Sequence, residues 1–178
     1  MTTTIHQAND LKSLIREVPD YPGPGILFRD LTPLMADPGA MQYVTDCFVS
    51  HLRHVEADAI AAIDARGFIF AAPAAVSAGL PFIPFRKAGK LPPEVVGADY
   101  ILEYGTSRLE ARSNAVRPGQ RVAIVDDLLA TGGTASAAAR LIAGLGATVV
   151  SAGFVVELKD LGGRKLLPGI DIFTIVEY

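Results

Sequence analysis

The chain has 178 residues, of which 50% are hydrophobic and 20% charged, with a formal net charge of -3. That material suits a single domain with a sizeable core and excludes a disordered chain; the lack of any like-charged block argues against a nucleic-acid partner. A lone cysteine, Cys47, excludes an internal disulfide or CxxC metal knuckle and reads as a buried, inert thiol.

No apolar run reaches the roughly 20 residues of a membrane span. The start MTTTIHQAND lacks the basic-then-apolar pattern of a signal peptide, so the expected location is the cytoplasm, with no membrane partner.

Leu11, Leu14, Ile15 and Val18 recur at helical spacing and predict a helix over 8–18, ended by Pro19. PDYPGPGILFRD then reads as an extended loop. A second helix is predicted over 38–54, with Asp37 as N-cap and Pro38 at its first position. AIAAID (59–64) reads as a buried strand, followed by Arg66-Gly67 and a small-residue helix to about Gly79. PFIPF (81–85) is another buried strand, and 106–116 an exposed one paired with 99–103 around Tyr104-Gly105. RVAIVDD (121–127) is a strand, 133–144 a helix, 147–158 a strand, and IDIFTIVEY the last strand. GLGATVV (144–150) hints at a dinucleotide fingerprint, but it follows a helix and reads as a helix-end turn. Strands apolar on both faces, alternating with helices, predict an α/β fold: a mainly parallel twisted sheet flanked by helices. Ligands bind such sheets at the carboxyl ends of the strands, here after residues 64, 85 and 127.

The run VAIVDDLLATGGTA (122–135) carries the chemistry. Asp126 and Asp127 emerge together from a buried strand, and two adjacent carboxylates need a partner such as sugar hydroxyls, Mg²⁺ or both. Gly132 and Gly133 let the backbone curl into the next helix, while Thr131 and Thr134 supply hydroxyls. Free N–H groups at that helix start, aided by its dipole, form a cradle for phosphate. Carboxylates for a diol beside amides for a phosphate imply a ribose 5-phosphate. The P-loop pattern GxxxxGK[ST] and the nucleophile pattern GxSxG are absent.

The whole run resembles the phosphoribosyl pyrophosphate signature of the type I phosphoribosyltransferases. PGILFRDLTPLM, DARGFIF, FRKAGKLP, LEYG, PGQRVAIVDDLLATGGT and VVEL further resemble, in order, segments of the adenine phosphoribosyltransferase family, spanning residues 23–158. That resemblance implies one domain over 1–178, with a hood at 1–36 contributing to the base site and an α/β core at 37–178. It implies Mg²⁺-dependent transfer of a phosphoribosyl group from 5-phosphoribosyl 1-pyrophosphate to adenine, giving AMP and pyrophosphate in purine salvage.

The roles it implies are as follows. Asp126 and Asp127 hold the ribose hydroxyls and favour positive charge on the sugar, and Ala130, Thr131, Gly132, Gly133 and Thr134 bind the 5′-phosphate. Arg66, Arg86, Lys87 and Lys90 bind pyrophosphate, the last three on a flap over 85–94, and Mg²⁺ is held mainly through substrate oxygens rather than by a protein cage. Glu103 is the acid/base at the purine; the backbone of Leu27 and Arg29 meets the adenine edge, with Phe28 on one face and Leu158 opposite. A cis peptide is expected between Ala65 and Arg66, and a homodimer because part of the basic cluster reaches the neighbouring subunit.

Taken without the resemblance, Arg66 reads equally as a loop cap, the 86–90 cations as a solvated loop, Glu103 as a surface residue and Phe28 as core. Two other functions share the signature: a non-catalytic regulator that senses phosphoribosyl pyrophosphate, and a transferase for another purine. The acidic charge and single short N-terminal helix disfavour the first, and LFRD and LEYG disfavour the second. His51 and His54 stand at i, i+3 with no evident third metal ligand.

Overall fold

The runs AIAAI and VAIVD become neighbouring parallel strands at the centre of a sheet, β3 (Ala59–Ile63) and β7 (Arg121–Leu129), with Ala61 opposite Ile124. β3 and the Val122–Val125 stretch of β7 are apolar at every position, so they fit only where helices cover both faces. The computed structural model describes residues 8–102 and 105–178.

The chain enters through a short helix, α1 (Ala8–Lys12), and an antiparallel hairpin of β1 (Arg16–Pro19) and β2 (Leu27–Asp30). Helices α2 (Thr32–Met35) and α3 (Pro38–His54) lead to β3, and α4 (Gly67–Ala78) crosses to β4 (Phe82–Lys87). β5 (Val95–Leu102) and β6 (Gly105–Arg112) form an antiparallel excursion before β7. Helix α5 (Gly133–Gly144), β8 (Thr148–Glu157) and β9 (Asp171–Glu177) complete the order, with two 3₁₀ turns at Lys159–Leu161 and Gly163–Leu166 between the last two strands.

The seven-stranded sheet runs β5-β6-β4-β3-β7-β8-β9. From β3 the chain winds one way to β4, and from β7 the other way to β8 and β9, all in parallel. The direction of winding therefore reverses between β3 and β7, which opens a crevice at their carboxyl ends. Strand alternation sorts the core into two layers. Ala61, Ile63 and Ile124 pack with Ala137, Ala138 and Ile142 of α5, whereas Ile60, Ala62 and Val125 pack with Phe48 of α3 and Phe70 and Ala74 of α4.

Helix α3 begins as its sequence dictates: the Asp37 side chain accepts the Ala40 N–H at 2.9 Å, and Pro38 occupies a position that needs no donor. The expected helix over 8–18 is corrected. Only 8–12 is helical; the chain then turns, with Leu14 N–H bonded to the Leu11 carbonyl, and Val18 lies in β1 opposite Phe28. Leu11 and Ile15 are buried as the periodicity required, but a turn places them there as well as a helix would. The expected loop through ILFRD instead ends in a strand, Leu27–Asp30, because it pairs with β1, a pairing that local spacing does not encode. Strand β7 also continues two residues beyond Asp127, to Leu129. Cys47 is half-buried rather than buried, and desolvation raises its thiol pKa. No helix among the described residues is long and apolar enough to cross a membrane.

Candidate functional site

The crevice collects the residues that follow β3, β4 and β7. Register places Ala62 beside Val125 and Ile63 beside Phe85, so Asp64–Arg66, Arg86 and Asp126 leave the sheet at one level. Asp127 is 6% exposed, and its carboxylate lies 2.8 Å from Arg66 Nε without the alignment of a hydrogen bond. The Asp127 N–H donates to Asp126 Oδ1 at 2.8 Å. Burial, and next the charge of Asp127, raise the Asp126 pKa well above the usual carboxylate range. The pair is therefore poised for hydroxyl donors or a cation.

Gly67 makes this packing possible: a Cβ there would stand 2.7 Å from Asp126 Oδ1 and 3.0 Å from Val125 O. The start of α4, and with it Arg66, thus lies directly against β7.

Beyond Leu129 the chain curls around Gly132, whose φ of 85° is reached at no steric cost only by glycine. No side chain caps α5. Its first N–H groups are consequently available to an anion. They border a cavity of about 120 Å³ lined by Asp126, Ala130, Thr131, Gly132, Gly133 and Thr134, among others. That is about four water volumes, the scale of one phosphate group.

A second cavity of about 360 Å³ lies next to it, between the β1–β2 hairpin and the segment after β8. Leu27, Phe28, Arg29, Arg66, Leu158 and Leu161 are among its walls. Leu128, Ala130 and Thr131 line both cavities. Phe28 is held edge-on by Tyr21, with centroids 5.2 Å apart, and the Arg66 guanidinium lies 5.5 Å from its ring.

Arg86 points toward the crevice but is engaged, donating to Asp64 Oδ2 at 3.0 Å and to the Lys90 carbonyl at 3.1 Å. Lys87, the last residue of β4, and Lys90, in the turn that follows, are exposed. Glu103 and Tyr104 lie outside the described residues. The cis peptide expected between Ala65 and Arg66 is found one residue earlier, between Asp64 and Ala65. His51 stacks on Phe173 at 4.3 Å, and among the described residues no three His, Cys, Asp or Glu side chains gather as a metal cage.

The phosphoribosyl transferase domain family matches residues 34–175. An adenine phosphoribosyltransferase of Cyanothece sp. is 54% identical over 169 residues, covering 95% of this chain and 99% of its own. The chain belongs to the adenine phosphoribosyltransferase family. Among solved structures, the family's enzyme from Thermoanaerobacter pseudethanolicus superimposes with a TM-score of 0.93 at 48% identity, covering 97% of this chain and all (100%) of its own. The Saccharomyces cerevisiae enzyme, complexed with adenine and an imino-altritol bisphosphate, gives 0.90 at 41% identity, with 94% and 97% covered. The family's fold accounts for the parallel sheet and the hairpin above its crevice.

Several contributors to the site were not legible in the sequence. Tyr178, just after the last strand, carries the Arg29 guanidinium 3.8 Å from its ring centroid and so anchors β2, while Arg29 also pairs with Glu17 across the hairpin. Gly163 packs on Ala130 and Gly132 of the loop after β7. These are contacts between segments far apart in sequence, and only the Gly-Gly pair at 162–163 offered a local sign.

Proposed function

We propose that this enzyme transfers the phosphoribosyl group of 5-phosphoribosyl 1-pyrophosphate to N9 of adenine in purine salvage. The observation that carries the reading is the shared wall of the two cavities: Ala130 and Thr131 border both the phosphate-sized cradle and the aromatic-walled pocket. A sugar phosphate seated in the first would present its anomeric carbon toward a flat base in the second. Adenine and a phosphorylated sugar mimic bound to the yeast relative support the same pairing of ligands.

In the reaction the C1′–O bond to pyrophosphate breaks, the N9–C1′ bond forms, and the N9 proton is lost. Asp126 and Asp127 take the ribose hydroxyls and favour the positive charge that develops on the sugar. The amides from Thr131 to Thr134 hold the 5′-phosphate. Arg66, already beside Asp127, turns its fork to the pyrophosphate, joined by Arg86 once released from Asp64, and by Lys87 and Lys90. Glu103 is the proposed acceptor of the N9 proton. Phe28 and Leu158 hold the faces of the base, and backbone groups of Leu27 and Arg29 read its edge. Holding both reactants in line supplies much of the acceleration.

The adjacent carboxylates suit Mg²⁺, since burial and the neighbouring charge of Asp127 raise the Asp126 pKa and Arg66 offsets them only in part. With no third carboxylate or histidine beside them among the described residues, the ion would rest mainly on substrate oxygens. Bound there, Mg²⁺ would supply positive charge against that of the departing pyrophosphate. The exposed apolar side chains of α4, Ile69 at 42% and Val76 at 83%, support pairing of two copies as a homodimer.

The test is nucleotide formation from 5-phosphoribosyl 1-pyrophosphate and each purine in turn, with Mg²⁺ or with a chelator. AMP and pyrophosphate in equal amounts, only from adenine and only with the metal, are expected. Adenine left unchanged by a folded protein would overturn the reading.

A further inference from the structure

Strand β8 ends on a carboxylate that neither cavity uses. Glu157 is 2% exposed, and both its oxygens are taken by one arginine: Arg164 Nε donates to Oε1 at 2.7 Å and Arg164 Nη2 to Oε2 at 2.6 Å. The same guanidinium lies 3.5 Å from Thr174 Oγ1 and 3.8 Å from Glu177 on β9. A two-point fork fixes direction as well as distance, which a lysine ammonium does not.

Between the partners, the chain Leu158–Gly163 makes a tight excursion closed by this pair. Its start is tied to β7 by the Leu158 N–H donating to the Leu129 carbonyl at 2.9 Å. Its far end is Gly163, whose backbone lies flat on the phosphate loop. A Cβ on Gly163 would collide with the Ala130 carbonyl, and one on Gly132 would collide with the Gly163 carbonyl. Gly132 is the residue whose left-handed turn aims the bare N–H groups of α5. Neither Glu157 nor Arg164 lines the cavities, yet the segment they close presses on the loop that does.

We propose that the Glu157–Arg164 pair is a positioning element of the donor site: it holds the Gly163 backbone against Ala130 and Gly132 and so sets the aim of the amides that receive the 5′-phosphate. The pair does not touch substrate. A buried carboxylate with one cationic partner is a demanding way to close a loop, and a fixed geometry is what it offers over apolar packing. The proposal rests on the reading of 130–134 as the phosphate cradle.

The test is calorimetric titration of ribose 5-phosphate and, separately, adenine onto wild type, Arg164→Ala, Arg164→Lys and Glu157→Gln, each well below its own Tm. Arg164→Ala should weaken ribose 5-phosphate binding about tenfold or more, while adenine affinity falls by less than ~3-fold. Arg164→Lys keeps the charge and stem without the fork and should show a smaller loss on the same ligand. It carries the test if the alanine variant does not fold. Wild-type affinity for ribose 5-phosphate in both arginine variants, with only a lowered Tm, would reduce the pair to a structural brace and overturn the proposal. A wild-type protein that does not bind ribose 5-phosphate would instead overturn the cradle itself, and the positioning role with it.

Discussion

The two sides of the crevice are built differently. On one side β7 lies between two parallel neighbours, and Val122 to Val125 are at most 1% exposed. On the other, the β1–β2 hairpin has four residues per strand, with Tyr21 55% and Leu27 42% exposed. The hairpin is tied to the sheet by long side chains, Arg29 on Tyr178 and Arg66 beside Phe28. Sites that must hold charge in fixed geometry belong on rigid strands, whereas a lightly packed element can yield to admit a flat base. The proposed function accordingly assigns the donor's chemistry to the sheet and the selection of the acceptor to the hairpin.

The strongest way to break that division is to remove the carboxylates. Asp126→Asn with Asp127→Asn should lower turnover by at least ~10³-fold with the circular dichroism spectrum unchanged, because the stabilisation of sugar charge is lost while the strand remains. Turnover near wild type would take both groups out of the reaction. Next comes Gly132→Ala, which combines a left-handed φ of 85° with a collision at the Gly163 carbonyl. It should reduce kcat/KM for the phosphoribosyl donor on the order of 10²-fold, since a small misplacement of the cradle is enough. Phe28→Ala, on the hairpin, should raise KM for adenine about tenfold, the usual worth of one aromatic face against a base, with the donor KM little changed.

These variants also mark what the sequence made legible. β3, β7 and α5 could be read because their information is local: unbroken apolar runs, a carboxylate pair where the run ends, and paired glycines at the helix start. Asp126 and the loop 130–134 border one cavity, and Arg66 reaches Asp127 because parallel register aligns the ends of β3 and β7. The hairpin was not legible, its first strand falling largely in the expected helix and its second in the expected loop, because its strands depend on each other and on Tyr178, nearly 150 residues away by the numbering of Arg29 and Tyr178. Gly67 and Gly163 admit the backbones of Val125–Asp126 and of Ala130, contacts that sequence spacing does not encode.

The smallest expected effect sharpens the comparison from the side of stability. Burial and Asp127 raise the Asp126 pKa, so the folded state binds a proton more readily than the unfolded chain. The fold therefore loses stability as pH rises through that elevated pKa, and this loss is absent below the ordinary carboxylate range near 3.9. Asp126→Asn should accordingly raise the Tm of the ligand-free protein at pH 8 by ~2–4 °C, the shift for about 1 kcal/mol in a domain of this size. The gain should vanish near pH 4. A lowered Tm at pH 8 would mean that the ionised carboxylate is satisfied where it stands.

The division between sheet and hairpin is tested most directly by titrating ribose 5-phosphate and adenine, one at a time, onto Gly132→Ala and Phe28→Ala. The account predicts a crossed result: Gly132→Ala loses affinity for ribose 5-phosphate and keeps it for adenine, and Phe28→Ala does the reverse. Equal losses of both ligands in either variant would contradict it, and would make the crevice a single site rather than two that share the wall at Ala130 and Thr131.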